Sequence, residues 1–274
     1  MSLTVAFQGM AGAYSDLAAR ALFPNAQTLP CKTFEEAFVA VEQGRADRAV
    51  IPIENSTAGR VTDIHSLLPQ TTLHSVGEYF LPVRHCLLAP KGARLEGVRT
   101  VASHIQALTQ CQNGIAKLGL ERIVAADTAG AAAAIAQNGD ATSAAIASAL
   151  AAEIYGLDIL KSDFQDAGHN TTRFLVWSRE GLVPPVNKPT KMALIFTVRN
   201  VPAALYKALG GFATNGINLL KLESYLVDGE FISARFYAEL LGHPETAAVR
   251  QAMEELAFYT TDVKVLGVFE AAQN

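Results

Sequence analysis

The sequence predicts an α/β domain followed by a smaller domain of βαββαβ order. Three observations carry this. Short apolar runs alternate with helical patterns from Met1 to about Trp177, the stretch Leu182-Val183-Pro184-Pro185-Val186-Asn187-Lys188-Pro189 breaks the alternation, and the remainder reads strand, helix, two strands, helix, strand. Proline lacks an N–H and clashes with the preceding helical turn, so this stretch suits an extended connector. The expected division is 1–181, a linker at 182–190, and 191–274.

The clearest strands of the first part are Leu3 to Phe7, Arg48 to Ile53, Val98 to Ala102, Ile123 to Ala126, Ala144 to Ala147 and Thr172 to Trp177. They are short and apolar, as strands between helices should be. Several stop at a small or polar residue that opens a helix: Gly12-Ala13-Tyr14-Ser15, Ser103-His104, Asp127-Thr128 and Ser148. Such starts expose N–H groups and a partial positive charge, which suits a cleft for carboxylates or phosphates. Thr33-Phe34-Glu35-Glu36 fits a capping box, and Ala129 to Ala136 suits a helix packed close to a sheet. In the second part the strands Met192 to Val198 and Val263 to Phe269 frame helices at Ala203 to Ala213 and Glu245 to Leu256. Between the helices, Asp228-Gly229 signals a hairpin. This is the ferredoxin-like arrangement.

Composition narrows the function. Half of the 274 residues are hydrophobic, enough for a core that needs neither disulfide nor structural metal. With 22 basic against 26 acidic residues and a formal charge of −4, no broad basic field is offered to nucleic acid or anionic lipid. No apolar run reaches a membrane span, and Met1-Ser2-Leu3-Thr4 lacks a secretory pattern, so a cytoplasmic protein with a small-molecule partner is expected. Cys31, Cys86 and Cys111 are widely spaced without a C-x-x-C and read as buried hydrophobes. His85-Cys86 sits in the apolar run from Phe80 to Leu88 with no ligand cluster, so no metal is expected.

Four polar clusters stand at strand ends: Gly9 to Ser15, Glu54 to Gly59, Ser103 to Gln106, and His169 to Phe174. Ligand crevices of open α/β sheets lie outside the carboxyl ends of strands, which places three of the four well; the last precedes its strand. Gly9-x-x-Gly12 lacks the spacing of a dinucleotide fingerprint, and a Walker lysine is missing, so no cofactor is expected. His104 alone also fits a structural histidine, and Arg173 alone a surface or ion-pair arginine.

Together these pieces resemble the prephenate dehydratase family. The resemblance is carried by Gly9-x-x-Gly12-x-Tyr14-Ser15, Pro52-Ile53-Glu54-Asn55-Ser56-x-x-Gly59-x-Val61, Ser103-His104-x-Gln106-Ala107-Leu108-x-Gln110-Cys111, Ala144 to Ser148, Tyr155-Gly156-Leu157 and Asn170-x-Thr172-Arg173-Phe174. Ile105 departs from the family's usual proline, and His65 from its common aspartate.

The resemblance implies a two-lobed, periplasmic-binding-protein-like catalytic domain, crossed near 77–81 and again near 164, followed by an ACT domain. It implies a carbon–oxygen hydro-lyase that converts prephenate to phenylpyruvate without cofactor. Arogenate is the nearest alternative substrate, and a non-catalytic small-molecule sensor the alternative from another class. Thr172 takes the role of donor to the leaving hydroxyl, with His104 and Glu54 as alternatives. Asn55, Ser56, Ser103, Gln106, Thr171, Arg173 and Phe174 line the substrate.

The resemblance further implies an amino-acid effector at the C-terminal domain and a homodimer or homotetramer. The effector residues are Asn200, Pro202, Ala203, Ala204, Leu205, Asn218, Glu223 and Ser224. Relatives that bind phenylalanine carry N-x-P-G-A-L and E-S-R-P turns, whereas this chain has Ala203 for the glycine and Tyr225-Leu226 for the arginine and proline. Weak or altered control by phenylalanine is therefore expected.

Overall fold

Apolar runs with both faces covered build the first part of the computed structural model, which describes residues 3–227 and 230–272. Contact density divides the chain into two units, residues 1–61 with 79–174, and residues 62–78 with 175–274.

In the first unit β1 (Thr4–Gln8), α1 (Tyr14–Leu22), β2 (Gln27–Cys31), α2 (Phe34–Glu42) and β3 (Arg48–Asn55) wind a parallel sheet. Val5, Ala6 and Phe7 of its central strand are fully buried. A short β4 (Gly59–Arg60) folds back on β3, and the chain continues through α3 (Thr62–Leu67) and β5 (His74–Pro82).

The second sheet follows: β6 (Cys86–Ala89), β7 (Thr100–Ser103), α4 (Ile105–Gln110), α5 (Gln112–Leu118), β8 (Glu121–Val124), α6 (Thr128–Asn138), β9 (Ser143–Ala147), α7 (Ala149–Tyr155) and β10 (Asp158–Lys161). Its strands lie in the order β10-β6-β9-β7-β8. Leu87, Val101, Leu108, Ile115 and Ile146 form the core on one side. Ala131, Ala132, Ala145 and Ala147 pack the other, where small side chains bring α6 close to the sheet. The chain then returns to the first sheet as β11 (Thr171–Ser178), beside β3. This is the two-lobed α/β fold that the resemblance implied.

The second unit contains β12 (Thr190–Val198), α8 (Ala204–Thr214), β13 (Asn218–Val227), β14 (Glu230–Leu241), α9 (Ala247–Tyr259) and β15 (Thr260–Glu270). Its antiparallel order β13-β14-β12-β15 is the ferredoxin-like arrangement read from the sequence. Met192, Leu194, Phe196, Phe212, Leu240 and Leu256 form its core. The expected turn at Asp228-Gly229 lies outside the described residues. Among the described residues no helix is long and apolar enough to cross a membrane.

Some elements differ from expectation. β2, β5, β6 and β10 were not among the predicted strands: β2 carries Pro30, β5 begins His-Ser and β10 is a four-residue Asp-Ile-Leu-Lys with a charge at each end. The capping box is half formed, because Thr33 caps Glu36 N but Glu36 Oε2 accepts from Lys32 N instead of Thr33 N. At the Ser103-His104 start, His104 is itself the cap, its Nδ1 accepting from Gln106 N.

Gly12 joins the two sheets of the first unit. Its carbonyl accepts from Ser148 Oγ at 2.6 Å, and Ala11 O beside it accepts from the Tyr155 hydroxyl at 2.8 Å. A Cβ at Gly12, whose φ is +85°, would lie 2.8 Å from Ala151 Cα. Gly12→Ala is expected to destabilise the protein by roughly 2–4 kcal/mol, from left-handed strain plus overpacking. Denaturant unfolding checks this, and a loss under about 0.5 kcal/mol contradicts the reading, being within the range of a neutral surface change.

Candidate active site

Asn55, at the end of β3, organises the polar residues around it. Its Oδ1 accepts from the backbone N–H of Thr57 at 3.0 Å and of Ala58 at 2.9 Å, an Asx-type turn. The Nδ2 group must then face the other way, donating to Asn170 Oδ1 at 2.8 Å and to Thr172 Oγ1 at 2.9 Å. Asn170 Nδ2 donates to Gln110 Oε1 at 3.0 Å, Gln110 Nε2 to Thr57 Oγ1 at 2.7 Å, and the Thr57 hydroxyl to Asn55 Oδ1 at 2.8 Å. The four side chains close a ring in which every donor points the same way round.

Thr172 hangs from this ring as an acceptor, so its own hydroxyl proton is left for another partner. Arg173 is buried beside it and pairs with Glu54, Nη1 to Oε1 at 2.9 Å, while its guanidinium lies 5.8 Å from the Phe80 ring. Glu54 is thus an acceptor in an ion pair, an arrangement that does not favour its use as an acid.

Three expected substrate contacts have structural tasks. Ser56 Oγ donates to His169 O at 2.8 Å and accepts from Thr171 N at 2.9 Å, stitching β3 to β11. Ser103 is fully buried and donates to Ile146 O at 2.6 Å. Phe174, 1% exposed, is a core side chain. His104 is half-buried and Gln106 exposed at the start of α4, and Thr171 is half-buried on β11. No hydrogen bond brings His104 or Gln106 into the ring.

Sequence reasoning passed over Gln110, Asn170, His85 and Tyr14 as site residues. Gln110 and Asn170 stood inside the quoted motifs, and their amides were the available signal. His85, 2% exposed, was read only as a failed metal ligand in an apolar run. Its Nε2 lies 2.9 Å from Gln110 Oε1, and its Nδ1 lies 2.7 Å from the Tyr14 hydroxyl. Burial holds the imidazole pKa below its ordinary value and pushes the Tyr14 phenol well above its own. Burial also pushes the Cys111 thiol up to about 12, with the Asp166 carboxylate adding to it. A cavity of about 220 Å³ adjoins the ring at Thr57, Gln110 and Asn170, and Asp166 lines it too, so its charge suits an anion poorly.

The expected effector residues lie in the second unit. Asn200, Pro202 and Ala203 form the turn before α8, which Ala204 and Leu205 begin, and Asn218, Glu223 and Ser224 lie on β13. Ala203 takes φ +59°, a conformation natural to glycine. Tyr225, where the family turn has arginine, shares a 2.5 Å hydrogen bond with Nδ1 of His65, the position where aspartate is common. The two departures meet.

Because the folded pKa of His85 is depressed, the unfolded chain binds a proton that the folded chain does not, between that pKa and 6.5. Stability contributed by the neutral ring is present above 6.5 and declines as pH falls through this window. Urea midpoints from pH 8 to pH 5 are expected to fall more for the wild type than for His85→Gln; parallel curves contradict this.

Comparison with known proteins agrees with these motifs. A family model described as prephenate dehydratase matches residues 5–181. The bifunctional N-acyl-homoserine lactone acylase/prephenate dehydratase of Komagataeibacter europaeus is 47% identical over 269 residues, covering 98% of this chain and 96% of its own length. The arogenate dehydratase/prephenate dehydratase 1 of Arabidopsis thaliana is 41% identical over 279 residues, covering 97% and 71%. Among solved structures, GqqA, described as a novel type of quorum quenching acylase, aligns with a TM-score of 0.93 at 46% identity over 98% of both chains. The prephenate dehydratase of Arthrobacter aurescens in complex with L-Phe aligns with a TM-score of 0.91 at 27% identity, covering 98% of this chain and 90% of its own.

Proposed function

Because the chain belongs to the prephenate dehydratase family, we propose that it converts prephenate to phenylpyruvate, water and carbon dioxide as a carbon–oxygen hydro-lyase. The observation that carries the reading is the Thr172 hydroxyl, held as an acceptor by Asn55 and thereby left to donate.

Prephenate carries two carboxylates and a ring hydroxyl, and it aromatises when the hydroxyl leaves and carbon dioxide departs. Catalysis requires a donor whose hydrogen bond strengthens as charge builds on the leaving oxygen. Thr172 supplies that bond. A threonine hydroxyl is a weak acid, so His104 or water delivers the proton itself. Arg173, partly neutralised by Glu54, contributes positive charge beside Thr172, and Gln106 and Thr171 add polar contacts to the dianion. Ser56, Ser103 and Phe174 keep the frame rigid. Arogenate differs by an ammonium in place of the keto group, and the preference for prephenate is part of the proposal.

Two relatives are named for acylase chemistry. A hydroxyl nucleophile needs a base that accepts its proton. Thr172 instead meets a donor, and burial raises the cysteine thiols. These observations favour dehydration. A non-catalytic sensor is the remaining reading, and turnover separates it from both.

We take the C-terminal domain as an ACT domain that binds an amino acid weakly, in a cytoplasmic dimer or tetramer. The αL conformation of Ala203 supports an altered effector turn. A methyl where a ligand approaches the turn overpacks it by about 1–3 kcal/mol, or about 5–150-fold in affinity.

Ultraviolet detection of phenylpyruvate, with arogenate and an N-acyl-homoserine lactone in parallel, is expected to show prephenate turnover as the fastest, undiminished by exhaustive chelation. Activity on the lactone alone contradicts the proposal. Thr172→Val should lower kcat by about 10²–10⁴-fold with folding intact; a loss under threefold moves the donor role to His104 or Glu54. Calorimetry should show phenylalanine binding only at millimolar concentration, strengthened about fivefold or more by Ala203→Gly. Micromolar binding and inhibition of the wild type contradict that expectation.

A further inference from the structure

We propose that His85 is a positioning residue of this site, whose Nε2–H clamps Gln110 and thereby holds closed the ring that presents Asn55 to Thr172. The proposal rests on the reading of Thr172 as the donor, but its geometry stands by itself.

The proton positions follow by elimination from a fixed end. Two backbone N–H groups orient Asn55, so its Nδ2 is the donor to Asn170 Oδ1. Asn170 then has only its Nδ2 to offer Gln110, which makes the Gln110 atom at that contact the carbonyl oxygen. The same oxygen lies 2.9 Å from His85 Nε2. An acceptor there requires a proton on Nε2, and a neutral ring then leaves Nδ1 bare. The Tyr14 hydroxyl lies 2.7 Å from Nδ1 and 3.0 Å from the Arg84 carbonyl, and with the ring proton already on Nε2 its single proton goes to the shorter contact, Nδ1.

The backbone of His85 is fixed as firmly as its ring. Its N–H donates to Gln165 Oε1 at 2.7 Å, and its carbonyl accepts from Phe164 N at 2.7 Å. The neighbouring Arg84–Asp163 ion pair is exposed and 2.6 Å long. His85 is therefore a rigid, neutral post that stands between the two sheets.

Gln110 needs such a post. It ends α4 of the second sheet, while its ring partners Thr57 and Asn170 stand at the first sheet's strand ends. A long side chain bridging two sheets keeps several rotamers open unless a further contact closes them. With the clamp gone, Gln110 is free to leave, Asn170 loses an acceptor, and the Asn55 amide loses the partner that aligns it on Thr172. The reacting group stays present but is held loosely, which affects turnover more than substrate binding.

The test separates the two imidazole nitrogens. Glutamine places its amide nitrogen near the Nε2 position, whereas asparagine places its own near Nδ1. His85→Gln should keep kcat for prephenate within about threefold of wild type, while His85→Asn and His85→Leu should lose on the order of 10–100-fold in kcat with KM changed under threefold. Equal activity of Gln and Asn variants, or losses confined to KM, overturn the proposal. Imidazole nitrogen NMR of the whole protein gives a readout independent of turnover: His85 should be protonated at Nε2 and bare at Nδ1, and Gln110→Leu should mix the tautomers. A bare Nε2, or a tautomer unmoved in Gln110→Leu, overturns the clamp whatever the substrate. A fixed Nε2–H lost in that variant, in a protein inactive on prephenate, supports the clamp and removes the reading of function instead.

Discussion

The side-chain oxygen of Asn55 accepts two backbone N–H groups, and this local turn fixes the direction of every amide around it. Backbone donors cannot be reversed as an amide can be flipped, so Asn170, Gln110 and Thr57 inherit their orientations from it. Thr172 inherits the acceptor role, and with it a proton to give. The turn exists because β3 ends at Asn55 and folds back at once through β4. The sheet thus delivers the site as a consequence of where a strand stops.

This arrangement places the ring across a joint. Asn55, Thr57 and Asn170 stand with the first sheet, Gln110 and His85 with the second, and Gly12, in the loop after β1, holds the same two parts together. A closed polar ring whose Asn170 is buried is costly to leave unsatisfied there, so it favours one geometry over near alternatives. The enzyme's rigidity at Thr172 comes from that demand.

Much of this was legible in the sequence because it depends on local signals. Apolar runs gave β1, β3, β9 and β11, and the βαββαβ order of the last 84 residues emerged from periodicity and the Asp228-Gly229 signal. The polar strand ends carried Asn55, Thr172 and Arg173. What stayed hidden depends on distant partners. Nothing local says that Ser103 is spent on Ile146 O, that Glu54 meets Arg173, or that His85 in an apolar run faces Gln110. Likewise His65 and Tyr225 read as separate departures, and only the fold shows them sharing a hydrogen bond.

The central claim is that Asn55 acts through Thr172, and a double-mutant cycle in kcat/KM for prephenate tests it most directly. Asn55→Ala and Thr172→Val should each slow the reaction, and the double variant should be no slower than the worse single variant. Losses that multiply would contradict the account, because they would show the two side chains acting independently.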